Sequence, residues 1–245
     1  MTTTLVFLHG YGMDKRIWQI HPLHTIGHPS VFLDLNGYGP LHSTQSLTEL
    51  AQSLVEKIHG MNLTRIIIVG HSMGGYIALE MLQLDALPIQ GVVLLNSHPF
   101  MDSIEKKEQR NKIITHLKKY SDITYKKFFA HTLFQPSFIE NNLGLFQRVL
   151  DIILDQPKDT LIDSLIAMRD RRGYSNLISK TTTPIMIIHG KKDQLISVDQ
   201  ILKAESLSPR LIYHVIEEGS HMSMIENPEL VVHYIRTFYD YCHEK

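Results

Sequence analysis

The chain has 245 residues, with 24 basic and 25 acidic side chains and 43% hydrophobic residues. This length allows one α/β domain with a complete core and room for an inserted segment. A net charge close to zero argues against nucleic acid or an anionic membrane as a partner, and the single cysteine, Cys242, excludes internal disulfides. No apolar run approaches the roughly 20 residues of a membrane span, and residues 5–8 are too short for a secretion signal, so we expect a cytoplasmic protein.

Strand-like and helix-like patterns alternate along the chain. Short apolar runs predict buried strands, and amphipathic spacing over 46–59, 76–84 and 228–241 predicts helices. Apolar strands separated by helices predict a mostly parallel sheet of about six strands that is covered on both faces. Ligands of such sheets bind beyond the carboxyl ends of the strands. The predicted strands are 4–8, 31–35, 66–69, 91–96, 184–190 and 211–216.

The third predicted strand leads directly into a glycine-rich turn. Residues 70–75 read Gly-His-Ser-Met-Gly-Gly, which matches the pattern G-x-S-x-G between a strand and a helix. In such a turn the serine takes a positive φ, which requires neighbours without side chains two residues away. A Walker phosphate loop is excluded because Tyr76 and Ile77 stand where Lys and Ser or Thr are needed. The pattern therefore predicts that Ser72 is a nucleophile at the carboxyl edge of the sheet.

A serine nucleophile needs a base and an acid that orients the base. Asp193 follows the fifth predicted strand, and His221 follows the sixth. The chain order Ser72, Asp193, His221, with each residue directly after its own strand, is typical of α/β-hydrolases. Asp102, which comes after the fourth strand, is an alternative acid.

Taken together, these motifs resemble those of lid-bearing esterases of the α/β-hydrolase fold. The resemblance covers essentially the whole chain and rests on residues 9–12, 70–75, 190–193 and 219–222, which read HGYG, GHSMGG, GKKD and GSHM. No antiparallel hairpin precedes the first predicted strand, so we expect the first two strands of the full fold to be missing.

The segment between the fourth and fifth strands is predicted to be helical. Residues 101–172 contain no strand pattern and indicate about four helices, with breaks near Ser121 and at two prolines. The expected organisation is a hydrolase core formed by residues 1–100 and 173–245, with residues 101–172 inserted as a lid. Apolar residues on the inner side of such a lid would line a substrate pocket.

The resemblance and the chemistry of acyl transfer imply the same site around Ser72. The backbone N–H groups of Tyr11 and Met73 are expected to form the oxyanion hole. His71 is expected to support or line the pocket rather than to act as the base. Trp18 would be a core residue by default, but in the esterases that the chain resembles its neighbourhood lines the acyl or leaving-group pocket. The candidate pocket residues are Gly10, Trp18, His98, Phe100, Phe128, Phe134 and Met222.

These residues favour a serine hydrolase that cleaves carboxylic esters with small or medium acyl groups through an acyl-enzyme. We expect the partner to be a small-molecule ester and expect no cofactor. His21, His24 and His28 lie close in sequence, but no cysteine or carboxylate cluster accompanies them, so no metal site is predicted.

The predicted lid carries an excess of positive charge between residues 101 and 127. Eight basic residues stand against four acidic ones there, which a solvated helix face would explain. The excess could instead dock an acidic acyl carrier protein. Together with HGYG and the downstream Trp18, the basic lid resembles that of the pimeloyl-acyl-carrier-protein methyl ester esterases of biotin synthesis. The basic residues are Lys106, Lys107, Arg110, Lys112, Lys118, Lys119, Lys126 and Lys127, and the acidic ones are Asp102, Glu105, Glu108 and Asp122.

Two further classes of function stay open at this point. Carbon–carbon bond hydrolases and lyases, including the menaquinone-pathway synthase of similar fold, use the same triad but bind a substrate carboxylate, often through arginines. The candidate arginines are Arg16, Arg169, Arg171 and Arg172. A binding protein could also keep the triad as a receptor site, and turnover of any ester would argue against that class. Fold alone does not decide among them, because function depends on the site.

Overall fold

Residues 2–20, 26–35 and 46–243 are described by the computed structural model, and they contain one parallel sheet. The strands are β1 Thr4–Leu8, β2 Ser30–Leu33, β3 Ile66–His71, β4 Ile89–Leu95, β5 Ile185–Gly190 and β6 Leu211–Ile216. Their order is β2-β1-β3-β4-β5-β6, and each neighbouring pair is parallel. The predicted fold class is thereby confirmed.

Helices surround this sheet. They are α1 Leu47–His59, α2 Met73–Leu84, α3 Ile104–Lys119, α4 Ile123–Thr132, α5 Pro136–Asn141, α6 Leu143–Leu154, α7 Lys158–Asp170, α8 Ser175–Lys180, α9 Val198–Glu205, α10 Ser223–Glu226 and α11 Pro228–His243, with a short 3-10 helix at Lys15–Gln19. In this part of the chain, no helix is both long and apolar enough to cross a bilayer.

Successive strand residues enter two hydrophobic cores, one on each face of the sheet. In β1, Val6 and Leu8 pack in the core that includes residues of α1, α2 and α9, whereas Leu5 and Phe7 pack in the core that includes residues of α11. This alternation follows from the two-residue period of a strand, and it explains why the strands are apolar on both faces.

The segment between β4 and β5 contains five helices before α8, one more than the predicted four. All three expected breaks are present, since Ser121 lies between α3 and α4, Pro136 is the first residue of α5 and Pro157 is the N-cap of α7. The additional break lies at Asn142, whose backbone (φ −137°, ψ 43°) is not helical. Its side-chain amide donates to the carbonyl of Phe138, a local hydrogen bond of the kind by which Asn competes with continued helix.

The carboxyl edge of the sheet gathers four polar residues. Ser72 follows β3, Asn96 follows β4, Asp193 lies three residues after β5, and His221 lies in the loop after β6. Because these strands are parallel neighbours, their following loops meet at one edge. The fold therefore places these side chains near one another although they are distant in sequence.

Candidate active site

Ser72 occupies a strained turn between β3 and α2. Its backbone angles are φ 50° and ψ −114°, and its N–H donates to the carbonyl of Leu95 over 2.9 Å. A Cβ atom on Gly70 would overlap the carbonyl of Gly74, and one on Gly74 would overlap the carbonyl of Leu8. The turn can therefore form only with glycine at both positions.

A continuous chain of hydrogen bonds runs from Ser72 to Asp193. The hydroxyl of Ser72 lies 3.0 Å from Nε2 of His221, and Nδ1 of His221 lies 2.7 Å from Oδ2 of Asp193. His221 and Asp193 are buried, whereas Ser72 is half-buried at the wall of a cavity. With Nδ1–H donating to the carboxylate, Nε2 is free to accept the serine proton.

Both carboxylate oxygens of Asp193 are hydrogen-bonded. Oδ1 accepts from the backbone N–H groups of Leu195 (2.8 Å) and Ile196 (3.0 Å), and Oδ2 also accepts from Nδ2 of Asn96 at 3.1 Å. Burial acts to raise the pKa of Asp193, but the His221 ring, its hydrogen bond and the Ile196 N–H lower it to about 2. The acid is therefore held as an oriented carboxylate.

The loop that carries His221 is held by several side chains. Nε2 of His71 donates to the carbonyl of His221 (2.9 Å), and Nδ2 of Asn96 donates to the carbonyl of Ser220 (2.8 Å). The carboxylate of Glu226 accepts from both the N–H and the hydroxyl of Ser220. Burial and the neighbouring His221 lower the pKa of His71 to about 3, so this imidazole stays neutral and supports the loop.

Sequence reasoning missed Asn96 and Glu226, which hold the hydrogen-bonded residues in place. Asn96 had a usable signal, because it directly follows a strand that ends at the same edge as β3. The sequence contains no comparable indication for Glu226. This residue lies in a short helix, and its hydrogen bond with Ser220 cannot be read from the periodicity of the sequence.

A cavity of about 400 Å³ opens beside Ser72 and His221. The inserted helices α3, α4 and α7 form much of its wall. Of the predicted pocket residues, His98 and Phe128 line it, and His71 lines it as well. The larger apolar or aromatic side chains contributed by the inserted helices are Ile113, Tyr125, Phe128, Phe129, Leu165 and Met168.

Five predicted pocket residues lie outside the lining of this cavity: Gly10, Trp18, Phe100, Phe134 and Met222. Trp18, Phe134 and Met222 are buried in the hydrophobic core on the α11 face, so their assignment to the pocket was wrong. Phe100 is half-buried and packs on the ring of His98 and on the opposite core. Gly10 lies against the nucleophile, because a Cβ atom there would be 3.2 Å from that of the serine.

The two residues expected to supply oxyanion-binding N–H groups flank Ser72. Met73 is the first residue of α2, where backbone N–H groups have no acceptor within the helix. Tyr11 lines the cavity directly after Gly10, and its hydroxyl lies 3.1 Å from that of Tyr125 on α4. Their role in catalysis stays a prediction.

Asp102, the alternative acid, lies in a different network. Its carboxylate pairs with Nε of Arg110 (2.5 Å) and with a terminal nitrogen of Arg171 (2.7 Å). Burial acts to raise the pKa of Asp102, and the two guanidinium groups lower it below its usual range. These contacts leave Asp193 as the carboxylate bonded to His221.

None of the four arginines considered as substrate ligands lines the cavity. Their partners are Asp14 and Asp155 for Arg16, Asp170 for Arg169, Asp102 for Arg171 and Glu80 for Arg172. The basic side chains that do line it are Lys106 and Arg110 of α3. Their i, i+4 spacing places them on one helix face, a signal present in the sequence.

The histidines near the amino terminus do not form a described metal site. His28 stacks on Tyr239 with ring centroids 3.7 Å apart, whereas His21 and His24 lie outside the described residues. Within the ranges that the structure describes, no group of three His, Cys, Asp or Glu side chains is placed to hold a metal ion.

Comparison with known proteins is consistent with this architecture. A model of the family described as "Alpha/beta hydrolase family" matches residues 5–234. A pimeloyl-[acyl-carrier protein] methyl ester esterase of Vibrio vulnificus (strain YJ016) is 27% identical over 252 residues, covering 96% of this chain and 93% of the relative. A 2-succinyl-6-hydroxy-2,4-cyclohexadiene-1-carboxylate synthase of Klebsiella pneumoniae is 22% identical over 237 residues, covering 93% of this chain and 90% of the relative. Among solved structures, a thermophilic esterase from Thermogutta terrifontis has a TM-score of 0.88 at 20% identity, covering 99% of this chain and 91% of that one.

Proposed function

Because the chain belongs to the alpha/beta hydrolase family, we propose that it is a serine hydrolase that cleaves carboxylic esters. Ser72 is the nucleophile, His221 the base and Asp193 the acid that orients the base. The observation that carries this proposal is the chain of hydrogen bonds from the Ser72 hydroxyl through His221 to Asp193, at the wall of a cavity. Such a chain at a strained strand-to-helix turn is the arrangement that activates a serine.

The reaction follows from the positions of these atoms. His221 takes the Ser72 proton while the hydroxyl oxygen attacks the ester carbonyl, and the N–H groups of Tyr11 and Met73 hold the resulting oxyanion. The alcohol leaves with the proton from His221, and an acyl-enzyme remains. Water then repeats the sequence, its proton passing to His221 and then to Ser72 as the acid is released.

The inserted helices define the size of the substrate in this proposal. Residues 101–172 act as a lid, since α3, α4 and α7 close one side of the cavity that contains the Ser72 hydroxyl. A volume of about 400 Å³ lined mainly by apolar and aromatic groups suits an ester with a small or medium acyl chain.

The experiment that tests the proposal is hydrolysis of p-nitrophenyl esters from acetate to decanoate. We expect turnover with a clear chain-length optimum, and we expect Ser72→Ala to lower kcat by about 10³-fold or more. Asp193→Asn should lower kcat less. Ser164→Ala, a half-buried serine of α7 that does not line the cavity, is the matched control and should keep wild-type turnover.

Two outcomes would contradict it. Undiminished turnover by Ser72→Ala would exclude this serine as the nucleophile. Failure of the folded wild-type protein to hydrolyse any ester would exclude a simple esterase and favour carbon–carbon bond hydrolysis or a lyase.

A narrower candidate is an esterase whose acyl substrate is attached to an acyl carrier protein, as the name of the Vibrio vulnificus relative describes. The observation that favours it is that Phe128, at the cavity wall, is 68% exposed and follows exposed Lys127. Lys118 and Lys119 are also exposed, near the end of α3. Lys118→Glu with Lys119→Glu should then slow hydrolysis of a carrier-bound ester and leave hydrolysis of the free ester unchanged.

A further inference from the structure

The cavity beside Ser72 has an excess of positive charge. Lys106 and Arg110 line it, and among the described residues the carboxylate of Asp102 is the one that lines it as well. Asp102 is already paired with Arg110 and with buried Arg171, so two guanidinium groups share a single carboxylate. In the described part of the lining, no carboxylate is therefore left to form an ion pair with Lys106.

Lys106 also lacks an ion pair within the described residues. Its ammonium group donates to the backbone carbonyl of Leu195 over 3.3 Å, which is a neutral and rather long contact. Lys126, a buried lysine of the inserted helices, pairs instead with Asp122 over 2.5 Å. Withdrawing an ammonium group from water costs free energy unless an anion compensates it. Lys126 has such an anion in Asp122, whereas half-buried Lys106 has none at ion-pair distance among the described residues.

The surroundings of Lys106 act against its charge. Burial and the nearby guanidinium of Arg110 lower the pKa of Lys106 from its ordinary value, and the more weakly acting carboxylates of Asp102 and Asp193 offset this only in part. A bound anion would relieve both effects, because it would replace lost hydration and offset the repulsion between the two cations. A neutral acyl chain would relieve neither.

We propose that Lys106 is a specificity-determining residue that binds a carboxylate of the substrate, remote from the ester that Ser72 attacks. This inference rests on the proposed function and names its substrate class, the half-esters of dicarboxylic acids. A carboxylate matches the site because Lys106 supplies an ammonium group that forms no ion pair with any carboxylate of the described lining, Asp102 being bonded to Arg110 and Arg171. One end of the substrate then lies at Lys106 and the other at the Ser72 hydroxyl, within the same cavity.

A competing explanation is that Lys106 supports the catalytic loop. Its acceptor, Leu195, also donates its N–H to Oδ1 of Asp193, so loss of the lysine could disturb the acid. A supporting role would slow anionic and neutral substrates alike, whereas binding of a carboxylate changes their ratio. The ratio of kcat/KM for two matched substrates separates the two roles.

The test compares the mono-p-nitrophenyl ester of hexanedioic acid, which has a free carboxylate, with its neutral ω-methyl ester. We expect the wild-type protein to favour the anionic ester and Lys106→Met to lower that preference by about tenfold or more, the loss of a hydrogen bond to a charged group. Lys106→Arg should restore part of it. Lys107→Met removes the adjacent charge of α3 outside the cavity lining and should leave both rates unchanged.

A second measurement detects binding of a substrate carboxylate at Lys106 without turnover of the ester. Monomethyl and dimethyl hexanedioate are titrated calorimetrically into Ser72→Ala and into Ser72→Ala combined with Lys106→Met. We expect tighter binding of the monomethyl ester in the first variant and no difference in the second. If the wild-type protein hydrolyses neither p-nitrophenyl ester, the proposed function fails while this titration still decides the carboxylate site. An unchanged ratio in Lys106→Met, or equal binding of both methyl esters to Ser72→Ala, would overturn the inference.

Discussion

Two residues of the candidate site hold a backbone conformation that side chains rarely adopt. Ser72 has φ 50° and Asn96 has φ 47°, and each directly follows a strand at the carboxyl edge. The Asn96 amide joins two loops, since Nδ2 donates to both Asp193 and the carbonyl of Ser220. Strain at such positions persists only where the surroundings impose it, and asparagine tolerates it better than most residues.

Removal of the Asn96 amide should slow catalysis without weakening substrate binding. Asn96→Gly keeps the backbone conformation accessible but releases Asp193 and the loop of His221. We expect kcat to fall about tenfold because the acid and the base lose their alignment, while KM changes little. Steady-state kinetics on the optimal p-nitrophenyl ester measures the split. A fall in kcat/KM that comes from KM alone would contradict a positioning role.

The backbone strain at Asn96 should also be measurable as stability. Alanine at φ 47° carries a steric cost of about 1 kcal/mol that glycine avoids. We therefore expect Asn96→Ala to have a lower free energy of unfolding than Asn96→Gly, the reverse of their usual order. Urea unfolding of the two variants decides this, and greater stability of the alanine variant would show that the position is relaxed.

At the scale of elements, the site depends on how closely α2 approaches β1. Gly74 in the first turn of α2 lies against the carbonyl groups of Leu8 and His9, and a Cβ atom there would overlap both. His9 holds this end of β1 in turn, because its Nε2 accepts from the N–H of Leu35 after β2. The positive end of α2 is thus brought beside the Ser72 turn, where it favours developing negative charge.

This contact predicts opposite outcomes for two glycine-to-alanine changes. Gly74→Ala should lower the free energy of unfolding by about 3 kcal/mol, because backbone atoms must move to admit the methyl group. Gly144→Ala, in α6, has no atom within 4 Å of the added Cβ and should raise stability by up to about 1 kcal/mol through helix propensity. Urea unfolding of both variants is the measurement. Equal effects at the two positions would refute the close-approach argument.

At the scale of the whole molecule, the chain buries several neutral imidazoles near the site. Burial is the main cause that lowers the pKa of His9, His71, His98 and His189, and the pKa of His98 falls to about 3. The unfolded chain takes up these protons near pH 6.5, whereas in the folded protein the pKa of all four imidazoles is lower, about 3 for His71 and His98. The unfolded state therefore binds more protons in that window, and the free energy of unfolding decreases as the pH falls through it.

His98 provides the test of this pH dependence. His98→Gln should reduce the slope of unfolding free energy against pH by up to about 1.4 kcal/mol per unit between pH 6 and pH 4, since one fewer proton is linked to unfolding. Exposed His116 on α3 is the matched position, and His116→Gln serves as the control for the substitution itself. Urea titrations at several pH values measure both. An unchanged slope in His98→Gln would mean that this imidazole is protonated in the folded protein.

The sheet and the hydrogen-bonded residues of the candidate site could be predicted from the sequence because the patterns that indicate them are local. The strand patterns and the motif of residues 70–75 each occupy a few consecutive residues, and a parallel sheet brings the loops after its strands to one edge. Short helices were harder: α8, α9 and α10 have eight residues or fewer, which is too short for a clear amphipathic pattern. The number of inserted helices was also wrong, since one asparagine side chain decides the break at Asn142.

The sequence by itself therefore indicated the succession of strands and helices, the turn at Ser72, the histidine His221 and two candidate acids, Asp193 and Asp102. The structure places Asp193, and not Asp102, within hydrogen-bond distance of His221. Only the tertiary structure decided which side chains face the cavity: Trp18 packs into the core, whereas Phe128 and Lys106 line the wall beside Ser72. The physical reason is that a short motif at the end of a strand constrains the backbone of the loop in which it lies. The surroundings of an aromatic ring or a lysine depend on how the inserted helices pack against the sheet, through contacts between residues far apart in the chain.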